Sequence, residues 1–152
     1  PVDPWFLVGD YPETANFIRM ALQTNASMPE YVLSRTRAIM RANKIEDPSK
    51  VGIYGLTYKE NVDDTRESPT LQMIESMDNH LNSFVCKVYD PWIAEDIVPN
   101  QVHALDEFLA GLEMVIVMVG HSEIREHQDV FADKVIFDTR NVFEKREGVY
   151  RL

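Results

Sequence analysis

The pattern of apolar and polar residues divides the chain into two parts. Between residues 12 and 45, apolar side chains recur at helical spacing with no strand-like run among them. From residue 50 onward, short apolar runs alternate with helical segments. The polar stretch 46–49 separates the two patterns. The sequence therefore predicts a helical segment over residues 1–48 and a second domain over residues 49–152.

Two helices are predicted in the first part. One begins at Pro12-Glu13, with a proline and an acid in its first turn, and the second begins at Pro29 and ends near residues 43–45. Residues 1–11 contain prolines and aromatic side chains without helical spacing. We expect an extended segment there, with Trp5 and Phe6 as packing anchors.

The second part alternates strands and helices. The predicted strands are 51–56, 84–89, 102–104, 113–119, 134–138 and 149–152, and the predicted helices are 68–80, 105–109 and 122–127. The run 113–119 is the most apolar and is typical of a central strand covered on both faces. Repeated βα units predict an α/β fold with a doubly wound parallel sheet.

Charge and cysteine content restrict the partners and the compartment. The formal net charge of −10 argues against nucleic acid or an anionic membrane as a partner, because both require a basic face. No apolar run approaches the roughly 20 residues of a membrane span. Cys86, the single cysteine, cannot form an internal disulfide, and its apolar surroundings indicate a small core residue. This usage favours a reducing compartment and a cytoplasmic location.

The loop after the first strand of the second part contains charged residues that are candidates for ligand binding. Lys59, Asp63, Asp64, Arg66 and Glu67 precede a helix start, which consists of a capping serine and a proline. Ligands bind at the carboxyl ends of strands in open α/β sheets, and a helix N-terminus favours anions. Lys59 and Arg66 are therefore candidates for a phosphate-facing pair. The alternative is a solvated surface loop with internal ion pairs.

A second cation is expected at the same edge of the sheet. Arg140 follows the strand at 134–138, so Lys59 and Arg140 come from different strand ends and can converge on one anion. Arginine binds phosphate through two nitrogens, whereas lysine acts as a compact charge. The convergence is a stronger argument for an anion site than either residue alone.

Other sites of chemistry receive less support. The chain has no GxGxxG, no phosphate-binding P-loop and no HExxH, so no metal site is predicted. Asp63, Asp64 and Asp90 could form an acidic Mg²⁺ pocket of the receiver type, but a solvated loop is favoured. For His121, at a strand end, a capping or surface role is expected rather than ligand contact.

Three short motifs and the chain start resemble one enzyme family. The segments GLTYK at 55–59, DTRESP at 64–69 and YDP at 89–91 resemble the C-terminal domain of the UDP-glucose/GDP-mannose dehydrogenase family. The segment PVDPWF at 1–6 resembles the stretch that follows the catalytic cysteine of that family. The sequence of this segment is most similar to the branch of the family that oxidises UDP-N-acetylmannosamine.

The resemblance implies part of a three-part enzyme. In this family an N-terminal Rossmann domain binds NAD, a helical region dimerises, and a C-terminal Rossmann-like domain binds the UDP half of a UDP-sugar. The sugar C6 alcohol is oxidised to a carboxylate in two NAD-dependent steps, through a cysteine thiohemiacetal and a thioester. The implied fold is a Rossmann-like doubly wound sheet preceded by a helical dimerisation segment, in a homodimer. The catalytic cysteine and the NAD domain would precede Pro1, so the chain alone is expected to be inactive.

The resemblance also assigns roles to residues. Tyr58 and Lys59 match a substrate-binding pair that is normally Phe-Lys, and Arg140 matches a substrate-binding arginine. Arg66 matches an arginine that reaches NAD across the domain cleft, which makes it the candidate cofactor-binding residue. Asp3 matches the catalytic aspartate that orients the hydrolytic water, since thioester hydrolysis needs such an acceptor.

Two alternatives stay open. One is a UDP-glucose 6-dehydrogenase, although Val2 replaces a lysine of that branch. The other is a non-catalytic nucleotide-binding or assembly module, in which the loop charges only stabilise structure. A measurement of UDP binding distinguishes the two dehydrogenase hypotheses from the hypothesis of a non-catalytic module.

Overall fold

A computed structural model describes residues 3–81 and 85–152, without the side chains of Asp3 and of residues 78–81. Its six described strands are β1 Val51–Tyr54, β2 Lys87–Tyr89, β3 Gln101–Val102, β4 Met114–Val117, β5 Val135–Asp138 and β6 Val149–Arg151. They form one sheet in the order β3-β2-β1-β4-β5-β6, and every pairing is parallel. The predicted doubly wound α/β sheet is confirmed.

The strands are shorter than the apolar runs that predicted them. For example, the run at 113–119 contributes only residues 114–117 to β4, because its last residues leave the sheet and enter the loop. The predicted strand at 84–89 is observed from Lys87, and residue 84 lies outside the described residues.

The helices are α1 Asp3–Asp10, α2 Asn16–Ala26, α3 Met28–Ala42, α4 Pro69–Leu81, α5 Leu105–Leu109 and α6 Ser122–Glu126. Two 3-10 turns cover Pro48–Lys50 and Gln128–Phe131. Helix α2 begins four residues after Pro12, because a turn over residues 11–15 closes on the Tyr11 carbonyl, which accepts from the Ala15 amide at 2.9 Å.

The expectation of an extended segment over residues 1–11 is wrong, because Asp3–Asp10 forms α1. Pro4 lies in the first turn of this helix. The first amides of a helix have no intrahelical acceptor, so a proline there breaks no hydrogen bond and its fixed φ suits the helix. Pro4 therefore marks where the helix starts.

Both faces of the sheet are covered. On one face, α3 and α4 pack against β1, β2 and β4 through side chains that include Val32, Ile39 and Met73. On the other face, α5, α6 and the turn at Gln128–Phe131 contribute Phe108, Ile124 and Phe131. All four residues of β4 are buried, so its prediction as the central, doubly covered strand is confirmed.

Cys86 is buried in the first of these cores, as predicted. Burial raises the pKa of its thiol to about 11. The thiol is therefore protonated at neutral pH and a poor nucleophile. Within the described ranges, no helix has the length and apolar character needed to cross a membrane.

Candidate functional site

A cleft of about 720 Å³ opens at the carboxyl edge of the sheet. In the observed strand order, β1 and β4 are the central neighbours from which the chain winds outward in both directions, and such a switch point is where ligands bind. The sheet side of the cleft is formed by the loops after β1, β4 and β5 and by the first turn of α4. The opposite wall comes from α1 and from the junction of α2 and α3.

A glycine allows the loop after β1 to turn into this position. Gly55 has φ +96°, in the left-handed region that disfavours side chains. A Cβ at Gly55 would lie 2.6 Å from Cβ of Val119, so the backbone after β1 passes directly against the loop that follows β4. The loop over residues 57–64, here called the Lys59 loop, starts two residues later.

Asp90, at the end of β2, anchors the start of the Lys59 loop. Its Oδ2 accepts from the amides of Leu56 at 2.6 Å and Thr57 at 3.1 Å, and it lies 3.1 Å from Nε2 of His121. Its Oδ1 accepts from the Trp92 amide at 2.8 Å. Burial acts to raise the pKa of Asp90, but the hydrogen bonds from the histidine and the amides outweigh it and hold that pKa below its ordinary value.

This arrangement does not support the acidic Mg²⁺ pocket. Both Asp90 oxygens accept hydrogen bonds from the protein, and Asp64 is paired with Arg66. In the part of the chain that the structure describes, no three acidic, histidine or cysteine side chains are grouped so that they could hold a metal ion.

The capping or surface role expected for His121 is wrong. The residue is fully buried, and Nδ1 lies 2.9 Å from the Asn61 amide nitrogen in the Lys59 loop. Its side chain makes no capping hydrogen bond to α6. The only sequence signal was its position after the most apolar strand, which indicates burial but does not reveal the partners.

Tyr58 and Lys59 line the cleft. Nζ of Lys59 lies 5.6 Å from the centroid of the Tyr58 ring, a cation–π distance. No carboxylate of the described residues lies within ion-pair distance of Lys59. The Tyr58 amide donates to the Asp64 carbonyl at 2.7 Å, which closes the loop behind the lysine.

Arg140 lines the same cleft from the loop after β5. Its Nε donates to the Met118 carbonyl, and its amide donates to Oδ1 of the buried Asp138 at 3.0 Å. Oδ2 of Asp138 accepts from the Phe143 amide at 2.9 Å, so one carboxylate shapes the whole loop. The two terminal nitrogens of Arg140 have no partner among the described residues. They are therefore available to an anion, as the convergence of Lys59 and Arg140 requires.

Arg66 does not belong to the lining of the cleft. Its side chain is 87% exposed and forms a bidentate pair with Asp64, through Nε at 2.9 Å and Nη2 at 2.8 Å. These hydrogen bonds lower the pKa of Asp64 to about 2. The phosphate-facing pair of Lys59 and Arg66 is thus not assembled in this structure, and the loop contains an internal ion pair.

The remaining candidate positions surround the cleft. Asp3 begins α1, two residues before Trp5 in the cleft wall, but its side chain lies outside the described part. The predicted helix start at residue 68 is present, because Oγ of Ser68 accepts from the Thr70 amide at 3.2 Å. Helix α4 therefore presents its N-terminal end to the cleft, where Pro69 is part of the lining.

A doubly wound sheet with a cleft at its switch point, lined by Lys59 and Arg140, is the architecture of the nucleotide-binding class of domains. The model of the UDP binding domain of the UDP-glucose/GDP-mannose dehydrogenase family matches residues 52–145. The chain belongs to this family.

Related proteins and solved structures support the assignment of the chain to this family. The chain is 33% identical, over 95% of its length, to a UDP-N-acetyl-D-mannosamine dehydrogenase of Methanocaldococcus jannaschii. The structure of a UDP-N-acetylmannosamine dehydrogenase from S. aureus is 34% identical over 97% of this chain, with a TM-score of 0.77. That of a UDP-N-acetylmannosamine dehydrogenase from Pyrococcus horikoshii is 25% identical over 98%, with a TM-score of 0.79. The chain spans about a third of each relative, 34%, 35% and 36% of their lengths respectively.

Proposed function

We propose that this chain supplies the UDP-binding half of the active site in an NAD-dependent UDP-N-acetylmannosamine 6-dehydrogenase. The observation that carries the proposal is the convergence of Lys59 and Arg140, from two strand ends, in one cleft at the switch point of the sheet. The match to a UDP binding domain and the names of the relatives support the choice of UDP as the anion.

The two cations divide the binding of the diphosphate. Arg140 is held through Nε and its backbone amide, so its terminal nitrogens can bind phosphate oxygens as a planar pair. Lys59 adds a point charge from the loop after β1. Tyr58, Trp5 and Met118 provide flat or apolar surface against the nucleoside. A UDP-sugar is therefore bound through its charge and its base.

The chemistry also needs groups outside this chain. NAD, when bound, accepts a hydride in each of the two oxidations. Asp3 has the role of orienting the water that cleaves the thioester, as a water-orienting carboxylate. Cys86 cannot serve as the nucleophile, because it is buried in the core and donates to the Pro48 carbonyl. We expect the 152-residue chain alone to show no dehydrogenase activity.

Arg66 is proposed to contact NAD. Its exposed guanidinium uses Nε and Nη2 on Asp64, and Nη1 has no partner within the described residues. The ion pair therefore orients the arginine while leaving one nitrogen for the cofactor.

Residues 1–48 are proposed to form the dimerisation segment of a homodimer, and residues 49–152 the UDP-sugar-binding domain. Helices α1 and α2 and the turn between them expose large apolar side chains, among them Tyr11, Phe17 and Met20. Several large apolar side chains exposed within one segment support an interface there. A cytoplasmic location is proposed from the single buried thiol.

Calorimetric titration with UDP tests the site. Lys59→Ala and Arg140→Ala should each weaken UDP binding roughly ten- to a hundredfold, because each removes a charged hydrogen-bond donor worth about 1.5–3 kcal/mol. Lys145→Ala and Arg37→Ala are the matched controls, since both are exposed cations outside the cleft lining. NAD serves as the ligand control and should not bind.

The same titration decides between the candidates. Unchanged UDP affinity in both cleft variants would show that the assigned site is wrong. The alternative of a structural or assembly module is favoured only by the Arg66–Asp64 pair, and absence of UDP binding by the wild-type chain would support it. Competition between UDP-N-acetylmannosamine and UDP-glucose for the site then tests which of the two dehydrogenase branches the chain belongs to.

A further inference from the structure

The Lys59 loop is held at its first residue and at Asn61 by groups that do not line the cleft. At its start, Oδ2 of Asp90 accepts from the Thr57 amide at 3.1 Å. At Asn61, the backbone amide donates to Nδ1 of His121 at 2.9 Å. Lys59 lies between these two points.

The contacts of His121 define its tautomer. The Asn61 amide can only donate a hydrogen bond, so Nδ1 must be the unprotonated, accepting nitrogen. The Asp90 carboxylate can only accept, so Nε2, at 3.1 Å from Oδ2, carries the hydrogen. Oγ1 of Thr57 lies 3.3 Å from the same nitrogen while it donates to the Lys59 carbonyl at 2.8 Å. The ring is therefore neutral, and it links the two anchors of the loop.

The conformation of Asn61 shows why the loop needs this support. Asn61 has φ +58°, in the left-handed region that non-glycine residues rarely adopt. Its side chain exchanges two hydrogen bonds of 2.9 Å with Ser122, which directly follows His121. Residues 121 and 122 thus bind both the backbone and the side chain of one strained loop residue.

Resting on the proposed function, we propose that His121 is the positioning residue of the diphosphate site. As the neutral Nε2–H tautomer, it joins Asp90 to Asn61 and holds the Lys59 loop so that Lys59 and Arg140 meet the same anion. Binding then does not have to order the loop, and the affinity is correspondingly higher.

Nuclear magnetic resonance of the ligand-free chain tests the geometry. Long-range proton–nitrogen correlation should show Nδ1 of His121 unprotonated and Nε2 protonated at neutral pH. Hydrogen exchange at the Asn61 amide should be slow in the wild type and faster in His121→Gln, which keeps a donor towards Asp90 but places no acceptor at the position of Nδ1. His103→Gln changes an exposed histidine outside the cleft lining and is the matched control.

Titration with UDP tests whether the ordered loop raises the affinity for UDP. His121→Gln and His121→Asn each retain one of the two contacts and should weaken UDP binding about three- to tenfold, the effect of immobilising one or two groups on binding. Phe131→Leu is the control for a general loss of core stability, because Phe131 is buried and lies outside the cleft lining. Its UDP affinity should match that of the wild type.

The outcomes separate the two proposals. A protonated Nδ1, or unchanged Asn61 exchange in His121→Gln, would overturn the role of His121 even if UDP binds. Wild-type UDP affinity in both the Gln and Asn variants would overturn it as well. If the wild-type chain does not bind UDP, the proposed function fails, while the exchange and tautomer measurements still decide whether His121 orders the loop.

Discussion

At the scale of single residues, Lys59 and Arg140 line one cleft, and hydrogen bonds to Asp90 and His121 hold the loop that carries the lysine. Lys59 and Arg140 follow strand ends, and parallel strands present those ends at one edge, so their convergence in the cleft could be expected. Asp90 and His121 also follow strand ends. Their hydrogen bonds depend on the orientation of buried groups from loops far apart in the chain, and no local pattern encodes that orientation.

Asp90 should make the stability of the chain sensitive to acid. Its pKa lies below the ordinary value of 3.8 in the folded state, so the carboxylate contributes stability above that value. This contribution is lost as the pH falls through the folded pKa. Urea unfolding measured between pH 7 and pH 2 should show the free energy of unfolding decreasing below about pH 4.

Asp90→Asn should remove most of that contribution and cost about 3 kcal/mol at pH 7, because the buried amides and the histidine lose a charged acceptor. Asp133→Asn is the control, since Asp133 also has a lowered pKa but is exposed beside Lys134. Equal effects of the two substitutions would contradict a special role for Asp90.

At the scale of elements, helix starts were predicted well where capping and proline signals agree. Ser68 and Pro69 begin α4 as expected, whereas the prolines near the chain start led to the wrong prediction for α1. A proline is compatible with both an extended segment and a first helical turn. The aromatic residues that follow Pro4 did not resolve the choice, because Trp5 and Phe6 are 45% and 66% exposed and are not buried packing anchors.

The Ser68 side chain caps α4 and should stabilise the folded chain. Ser68→Ala should lower the free energy of unfolding by about 1 kcal/mol, because the Thr70 amide loses its side-chain acceptor. Ser34→Ala, in the exposed middle of α3, is the matched substitution and should leave stability within about 0.5 kcal/mol of the wild type. Denaturant midpoints measured under one set of conditions give both values. Equal losses in the two variants would show that the Ser68 cap has no special contribution.

At the scale of the whole molecule, the cleft exists because a helical segment faces the carboxyl edge of a parallel sheet. Leu22, Met28 and Val32 come from one side, and Tyr58 and Arg140 from the other. The same helical segment exposes apolar side chains on its outer surface, with Phe17 84% accessible. The same segment thus contributes to the cleft and exposes apolar side chains suited to association.

Light scattering tests that association. The measured mass should approach twice the 17.6 kDa of the chain. Phe17→Glu should shift it towards the monomer, because a charge at a buried interface is costly. Ile97→Glu replaces an exposed apolar residue of the β2–β3 loop and should not change the mass. A monomeric wild type would count against the homodimer.

The α/β class, the order of the elements after residue 12 and the positively charged residues at the strand ends could all be predicted from the amino-acid sequence. These follow from periodicity and from local signals, which act over a few residues. Three features became visible in the folded chain alone: residues 3–10 are helical, Arg66 pairs with Asp64 outside the cleft, and His121 and Asp90 hold the Lys59 loop. These features depend on contacts between distant segments, where burial makes every unsatisfied polar group costly and geometry selects its partner.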